Sequence, residues 1–301
     1  MTNASSAVLK RRRLLVALLS LTPVLVVLVA VKAYPMAVTI YRSFTNWDGL
    51  YREAWVGLHN FVQIFTSDTF WILLRNSLVL LISVPLQVVL GLIVAVLLYE
   101  QTAGWKLFRS VFYLPQIMAP VIIGYLFRVF FSMDGPVNQA IAFFTRVPVS
   151  YEWLSDTASA LGVLVFSLTW FSIGWQAIVI LGGMSSIPPS VFEAAQLDGA
   201  NYWQRTFKVV LPMLGPTMEY CVVMSTVWTM TSLFPFVYAM TRGGPGYETT
   251  TFDYMIYIRA FQSGGDLGVA CAYAVILLVI IAGITAAQMR MGRDAGEKSG
   301  L

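Results

Sequence analysis

Charge is scarce in this chain: charged residues make up 11% of the 301 residues, while 58% are hydrophobic. Because soluble domains carry charge on roughly a quarter of their residues, an ordinary soluble fold is excluded. Six stretches of 18 residues or more carry no charge at all, namely 14–31, 76–99, 110–127, 157–192, 220–241 and 267–289. A membrane-crossing helix needs roughly 20 mostly apolar residues. The sequence therefore predicts an all-α polytopic membrane protein with about six transmembrane helices.

Cysteine and histidine are also rare. Cys221 and Cys271 lie inside predicted spans, and His59 is the single histidine, so a disulfide framework or a metal site is not expected. The phosphate-binding pattern G-x-x-x-x-G-K-[ST] is absent, as is any Ser/His/Asp or Cys/His set. We therefore expect no catalytic residue, metal or cofactor in this chain. The net charge of +4 is spread over loop ends, which argues against a nucleic-acid partner.

No predicted span has a carboxylate near its middle. Carriers coupled to protons or sodium usually have ionisable groups at mid-membrane depth, so this absence weakens the prediction of an ion-coupled secondary transporter without removing it. An intramembrane enzyme is weaker still, since no catalytic set is available. A transporter that obtains its energy from another polypeptide fits the sequence better.

A basic cluster, 10–13, precedes the first apolar stretch and predicts that the N-terminus lies in the cytoplasm. With an even number of spans the C-terminus lies there too. We predict a cytoplasmic segment 1–13, a six-helix membrane domain 14–289 and a cytoplasmic tail 290–301. The predicted helices are 14–36, 73–99, 110–132, 159–183, 218–240 and 268–289.

Prolines interrupt several predicted spans: Pro85, Pro115, Pro120 and Pro235. Each removes a backbone hydrogen bond that lipid cannot replace, and helices broken in this way often line translocation paths, although a packing kink is an equally good explanation. Polar and aromatic side chains within or at the edges of the spans are the candidates for a substrate path. They are Asn76, Gln87, Gln116, Trp170, Gln176 and Trp228. For each of them alone, helix–helix packing is the simpler role.

Residues 187–212, between predicted helices 4 and 5, contain the most informative pattern. Pro189 suits a first helical turn, Ser190 and Glu193 have the spacing of a capping box, and Gly199 suits the left-handed end of a helix. A second helix is expected from about 201 to Pro212, with Trp203, Phe207, Val210 and Leu211 on one face. Such a helix pair either docks onto a partner protein or lies on lipid headgroups.

The same segment contains Glu193-Ala194-Ala195, then Asp198-Gly199-Ala200, Phe207 and Leu211-Pro212. This pattern resembles the "EAA" loop of the permeases of ATP-binding-cassette (ABC) importers, in the form found in sugar permeases of the maltose-permease type. Further marks of that family are spread over the chain: 57–61, 114–115, 243–245, 249–250, Tyr257, Phe261 and 268–272. The maltose permease itself has extra N-terminal helices and a large outer domain, so the six-helix sugar and glycerol-phosphate permeases are the closer comparison.

The resemblance implies a permease subunit in the cell inner membrane that moves a sugar or related polyol, or alternatively glycerol phosphate. Its implied partners are a second homologous permease, two ATPase subunits that bind ATP and Mg, an extracytoplasmic solute-binding protein and membrane lipid. The residues implied in docking to the ATPase are Glu193, Ala194, Ala195, Asp198, Gly199, Ala200, Trp203 and Phe207.

Overall fold

A computed structural model describes residues 3–99 and 104–299, and within these ranges the chain is helical, with a single isolated bridge between Thr45 and Trp55. Four helical segments are long and apolar enough to cross a membrane, and two further helix pairs qualify if each bent pair is counted as one span. The all-α membrane fold and the number of about six spans are thus confirmed. The boundaries and the continuity of several helices differ from the prediction.

The first span is longer than predicted. Helix α1 (Asn3–Leu28) continues through a π-helical turn (Val29–Ala33) into α2 (Tyr34–Arg42), instead of covering 14–36 alone. The π turn directly precedes Pro35, which has no N–H to donate to the preceding turn. Within the span Leu18–Arg42, the most apolar window has no residue buried by this chain. Lipid or a neighbouring subunit must cover that surface.

The second span follows helix α3 (His59–Phe65). It consists of α4 (Asp68–Leu80) and α5 (Ser83–Tyr99), which together form one apolar stretch of 32 residues. A short turn at 81–82 separates the two helices. Pro85 therefore falls in the first turn of α5, where a missing N–H is tolerated. Ser67 begins α4 by accepting a hydrogen bond from the Phe70 N–H.

The third span is not the continuous helix 110–132 that the sequence predicted. Helix α6 (Trp105–Ile117) and α7 (Pro120–Phe130) are bent by 100°. Met118 and Ala119 are extended between them, because the residue before a proline is sterically pushed out of the helical region. Pro120 then occupies the first turn of α7, where its missing N–H costs nothing.

Helix α8 (Pro136–Thr145) leads to the fourth span, α9 (Thr157–Ser185), whose first turn is capped by the Asp156 carboxylate. Helix α9 lies close to two neighbours. A Cβ on Gly174 would stand 2.1 Å from the carbonyl oxygen of Phe112 in α6. A Cβ on Gly91 of α5 would stand 2.4 Å from the Cβ of Gln176. These glycines let α5 and α6 pack against the middle of α9.

The segment after α9 forms α10 (Pro189–Leu197), α11 (Tyr202–Arg205), a π-helical turn (Thr206–Val210) and α12 (Leu211–Met213). The fifth span, α13 (Gly215–Thr231), is bent by 65° from the helix before it. The predicted continuous helix 218–240 is wrong, because the chain breaks at 232–233 and a separate helix, α14 (Phe234–Met240), starts with Pro235 in its first turn. Helix α14 packs against α7.

The chain ends with α15 (Phe252–Tyr257), a π-helical turn (Ile258–Gln262) and α16 (Leu267–Ser299). The predicted polar tail 290–301 is therefore helical as far as Ser299, beyond the predicted end at 289. At the start of α16, Gly268 touches the loop after α2, since a Cβ there would lie 2.1 Å from the Thr45 carbonyl oxygen. The Asn60 amide donates to the carbonyls of Ser43 and Thr45 at 2.9 and 2.8 Å. These contacts explain the asparagine, Asn60, of the motif 57–61 and the glycine, Gly268, of the motif 268–272.

Candidate substrate cavity and docking segment

A cavity of about 200 Å³ lies between α5, α6, α9 and α13. It is lined by Gln87, Gln116, Phe171, Ser172, Trp175, Gln176, Met224, Ser225 and Trp228. The break between α6 and α7 contributes to this space, because Gln116 belongs to the last turn of α6 beside the buried Pro115. The close approach of α9 to α5 and α6 brings the remaining side chains together. The cavity is thus formed where the third span is interrupted.

Aromatic rings form part of the wall. Trp228 stacks on Phe171 with ring centroids 5.6 Å apart and planes 19° from parallel. The edge of Trp228 also meets Phe236 at 6.2 Å, which ties the wall to α14 across the second break. Flat aromatic faces of this kind pack well against the C–H face of a sugar ring, an apolar surface surrounded by hydroxyls.

The polar atoms of the cavity are only partly paired. The Gln176 amide donates to the Ser225 hydroxyl, and the Gln87 amide donates to the Ser83 hydroxyl at 3.0 Å. The Oε1 atoms of Gln116 and Gln176 are buried and accept no hydrogen bond within the part of the chain that the structure describes. A buried acceptor without a donor is costly. The two amide oxygens therefore favour a ligand, or water, that supplies O–H or N–H groups.

Four of the six predicted path residues meet at this cavity: Gln87, Gln116, Gln176 and Trp228. Asn76 does not line it, because the fully buried Asn76 amide donates to the carbonyls of Tyr247 and Thr250 at 3.2 and 2.9 Å and so holds the loop before α15. Trp170 does not line it either. This ring packs edge-on against Phe127 at 5.4 Å and is 38% exposed on another face of α9.

Five lining residues were missed in the sequence: Phe171, Ser172, Trp175, Met224 and Ser225. The spacing of 171, 172, 175 and 176 places them on one face of a helix, and the pair 224–225 precedes Trp228 by one turn. Helical spacing from Gln176 and Trp228 would have found them. The sequence offers no reason to choose this face of α9 over the face that carries Trp170.

The segment 187–212, called the docking segment below after its predicted role, has a first helix that begins as Pro189 suggested and ends as Gly199 suggested. Pro189 occupies the first turn of α10, and Gly199 has φ +76°. The Gly199 N–H donates to the Gln196 carbonyl and the Ala200 N–H to the Ala195 carbonyl, at 3.1 and 3.0 Å. This pair of bonds is the Schellman arrangement of a helix C-terminus.

The predicted capping box of Ser190 and Glu193 is wrong, because α10 starts after Pro188 and has no side-chain cap. A capping box is found instead at the second helix. The Asn201 side chain accepts from the Gln204 N–H, and the Gln204 side chain accepts from the Asn201 N–H, both at 2.9 Å. The second helix then continues past Pro212 to Met213, with a π-helical turn on the way.

One side of α10 is fixed to the membrane bundle. Phe192 stacks on Tyr99 at the end of α5 with centroids 5.5 Å apart, and Ala195 is buried. The opposite side is open: Glu193, Ala194, Asp198 and Gly199 are exposed, and the apolar Leu197 is 88% exposed. Ala200 is half-buried, and Phe207 is 56% exposed. The side chain of Trp203 lies outside the described part of the structure.

The side chains that line the cavity carry no formal charge. Among the residues that the structure describes, no group of three or more histidine, cysteine, aspartate or glutamate side chains could hold a metal ion. The arrangement can therefore bind a solute by stacking and hydrogen bonding.

Comparison with known proteins agrees with this architecture. Residues 73–293 match the family described as "Binding-protein-dependent transport system inner membrane component". The chain belongs to this family. It is a multi-pass inner-membrane permease of the ABC transporter class.

Three curated relatives are similar over most of their length. The probable ABC transporter permease YesP of Bacillus subtilis (strain 168) is 33% identical, covering 88% of this chain and 86% of its own. AmyD of Thermoanaerobacterium thermosulfurigenes, a probable permease of a transport system for starch degradation products, is 32% identical, with 90% and 91% covered. UgpA of Yersinia pestis, an sn-glycerol-3-phosphate transport permease, is 31% identical, with 85% and 87% covered.

A solved structure has the same fold. A chain of a bacterial ABC transporter involved in the import of the acidic polysaccharide alginate superposes with a TM-score of 0.80 at 25% identity. The match covers 97% of this chain and 99% of that chain. The two chains therefore share one fold over nearly their whole matched length.

Proposed function

We propose that this permease translocates a neutral sugar or a related polyol into the cell through the cavity between α5, α6, α9 and α13. The proposal is carried by one observation: two buried amide oxygens that accept no hydrogen bond in the described structure, those of Gln116 and Gln176, lie in the same cavity as the aromatic wall of Trp228 and Phe171. Hydroxyl groups supply the donors that the amides need, and ring faces supply a stacking surface.

A phosphate ester is the second candidate, because UgpA is similar to this chain. A buried phosphate usually requires arginine or lysine, and the residues lining the cavity include neither. This composition favours a neutral polyhydroxylated substrate over glycerol phosphate.

The proposed assembly contains this permease, a second homologous permease, two ATPase subunits and an extracytoplasmic binding protein that delivers the solute. ATP and Mg are bound by the ATPase subunits. The exposed side of α10, with Glu193, Ala194, Leu197 and Asp198, is the proposed docking surface for one of them. Leu197 is 88% exposed, although the other side of α10 packs on the bundle. An apolar side chain exposed in this way supports contact with a partner protein.

Movement would pass from the ATPase to the cavity through packed side chains. Docking acts on α10, whose Phe192 contacts Tyr99 of α5. Helix α5 also carries Gln87 of the cavity and packs along α9. The second helix of the docking segment leads through the 65° bend into α13, which carries Ser225 and Trp228. Both connections end at side chains of the cavity.

Competition of uptake tests the substrate class. The complete complex, reconstituted with its binding protein, should take up a labelled neutral sugar, and unlabelled neutral sugars or polyols should compete. Glycerol phosphate and uronic acids should compete at least tenfold less well, about 1.4 kcal/mol in binding. Preferred uptake of glycerol phosphate would contradict the neutral-substrate proposal while leaving the permease class intact.

A further inference from the structure

A second concave site lies beside the docking segment, at the end of the bundle that carries α10. It is a groove of about 460 Å³ between the end of α5, the start of α6 and the end of α9. Its walls are Leu98, Tyr99, Trp105, Arg109, Leu181 and Ser185. None of these residues lines the substrate cavity.

Three hydrogen-bond donors in this groove are unpaired. Within the described part of the chain, the Tyr99 hydroxyl, the Trp105 indole N–H and the Arg109 guanidinium have no hydrogen-bond or ion-pair partner. Lys106 adds a second positive charge, with its ammonium 5.8 Å from the centre of the Trp105 ring. The described lining includes no carboxylate. A groove that combines hydrogen-bond donors with positive charge is suited to an anion.

The surroundings of the groove are apolar. Leu98 and Leu181 form part of its wall, and neighbouring side chains of α6 are widely exposed, with Leu107 at 68% and Val111 at 55%. In a membrane protein such side chains contact lipid tails or a neighbouring subunit. A ligand that fits both the charged groove and this surface has an anionic head and an apolar tail. Tryptophan and arginine side chains are favoured at the membrane interface, which is the depth of a lipid headgroup.

We propose that this groove binds the phosphate of an anionic phospholipid in the leaflet on the docking side of the membrane. Arg109 and Lys106 supply the charge, and Tyr99 and Trp105 supply further donors. Because Tyr99 also stacks on Phe192 of α10, a bound headgroup steadies the contact that fixes the docking segment to the bundle. Anionic lipid would thereby support coupling to the ATPase subunits.

The test is native mass spectrometry of the complete complex titrated with phosphatidylglycerol, phosphatidylcholine and inorganic phosphate in parallel. Arg109→Ala should weaken phosphatidylglycerol binding about fivefold, whereas Arg109→Lys should keep most of it. Arg128→Ala is the matched control, because Arg128 is an exposed arginine in the last turn of α7, away from the groove. It should bind phosphatidylglycerol like the unmodified complex.

ATPase activity in vesicles gives the second measurement. Replacing phosphatidylcholine vesicles by vesicles with one part phosphatidylglycerol in three should stimulate the unmodified complex and Arg128→Ala more than Arg109→Ala. Equal phosphatidylglycerol binding by all variants would overturn the proposal. So would full displacement by inorganic phosphate, which would indicate a soluble anion. Loss of the ATPase subunits from Arg109→Ala with unchanged lipid binding would instead assign the groove to the docking surface.

Discussion

Gly199 shows how one residue determines the shape of the docking segment. Its φ of +76° closes α10 through the two Schellman hydrogen bonds, and no atom lies within 4 Å of a Cβ built there. Glycine is therefore needed for the backbone conformation at this position, because a side chain there would clash with no neighbour. Asparagine tolerates the left-handed region, while a β-branched residue does not.

Gly199→Val should destabilise this turn by about 1–2 kcal/mol and misdirect the second helix, while membrane insertion stays normal. At equal abundance in the membrane, uptake and co-purification of ATPase subunits should both fall sharply. Gly199→Asn is the matched control and should remain close to the unmodified protein. Equal behaviour of the two variants would mean that the left-handed turn is irrelevant to docking.

A substitution at Gln116 distinguishes an effect on protein stability from an effect on transport. Its Oε1 atom is buried and unpaired in the described structure, so Gln116→Leu removes a costly group and should leave the melting temperature unchanged or slightly raised. If the amide binds a substrate hydroxyl, the KM for uptake should rise about fivefold, the effect of one lost hydrogen bond of ~1 kcal/mol. Gln139→Leu, on helix α8, is the control. Unchanged uptake by Gln116→Leu would remove this residue from the path.

At the scale of helices, α9 depends on close contact with its neighbours. Gly174→Ala would place a methyl group 2.1 Å from the Phe112 carbonyl oxygen, a backbone atom, so α6 must move away from α9. The cost of such overpacking is about 1–3 kcal/mol, which thermal unfolding in detergent would measure. Gly162→Ala is the control within the same helix, because nothing lies within 4 Å of its Cβ. Equal stability of the two variants would contradict the packing described for α9.

The charge gaps predicted the number of spans well, because excluding charge from the bilayer is a strong constraint. The third and fifth spans were predicted as continuous helices although prolines lie within them, because a proline alone does not determine whether a helix breaks or, as in the third span, that it bends by 100°. The direction of α7 after this bend depends on its packing against α14, which is a contact between residues far apart in sequence. The capping box was assigned to Ser190 because spacing alone cannot show that Pro188 already precedes the helix.

The cavity was predicted only in part for a related reason. Helix α9 is apolar on the faces that meet other helices and on the faces that meet lipid, so its sequence does not indicate which side points inward. Trp170 and Trp175 are therefore equivalent in the sequence, and only the packed structure places Trp175 at the cavity and Trp170 against Phe127.

The whole molecule has a defined direction in the membrane, and the docking segment must face the ATP-containing side. Single cysteines at Ser190 and Ser263, in a background without Cys221 and Cys271, test this direction. In intact cells an impermeant thiol reagent should label the cysteine at 263, in the outer turn before α16, and should leave the cysteine at 190 in α10 unlabelled. After permeabilisation both should react. The reverse pattern would invert the topology.

We propose that this chain forms the path for the solute and that partner ATPase subunits supply the energy. Uptake of a labelled sugar into proteoliposomes tests it most directly, comparing the chain alone with the complete complex of two permeases, two ATPase subunits and binding protein. We expect uptake only by the complete complex, only with ATP and Mg, and loss of that uptake in Gly199→Val. Robust concentrative uptake by the chain alone, without ATP, would contradict it.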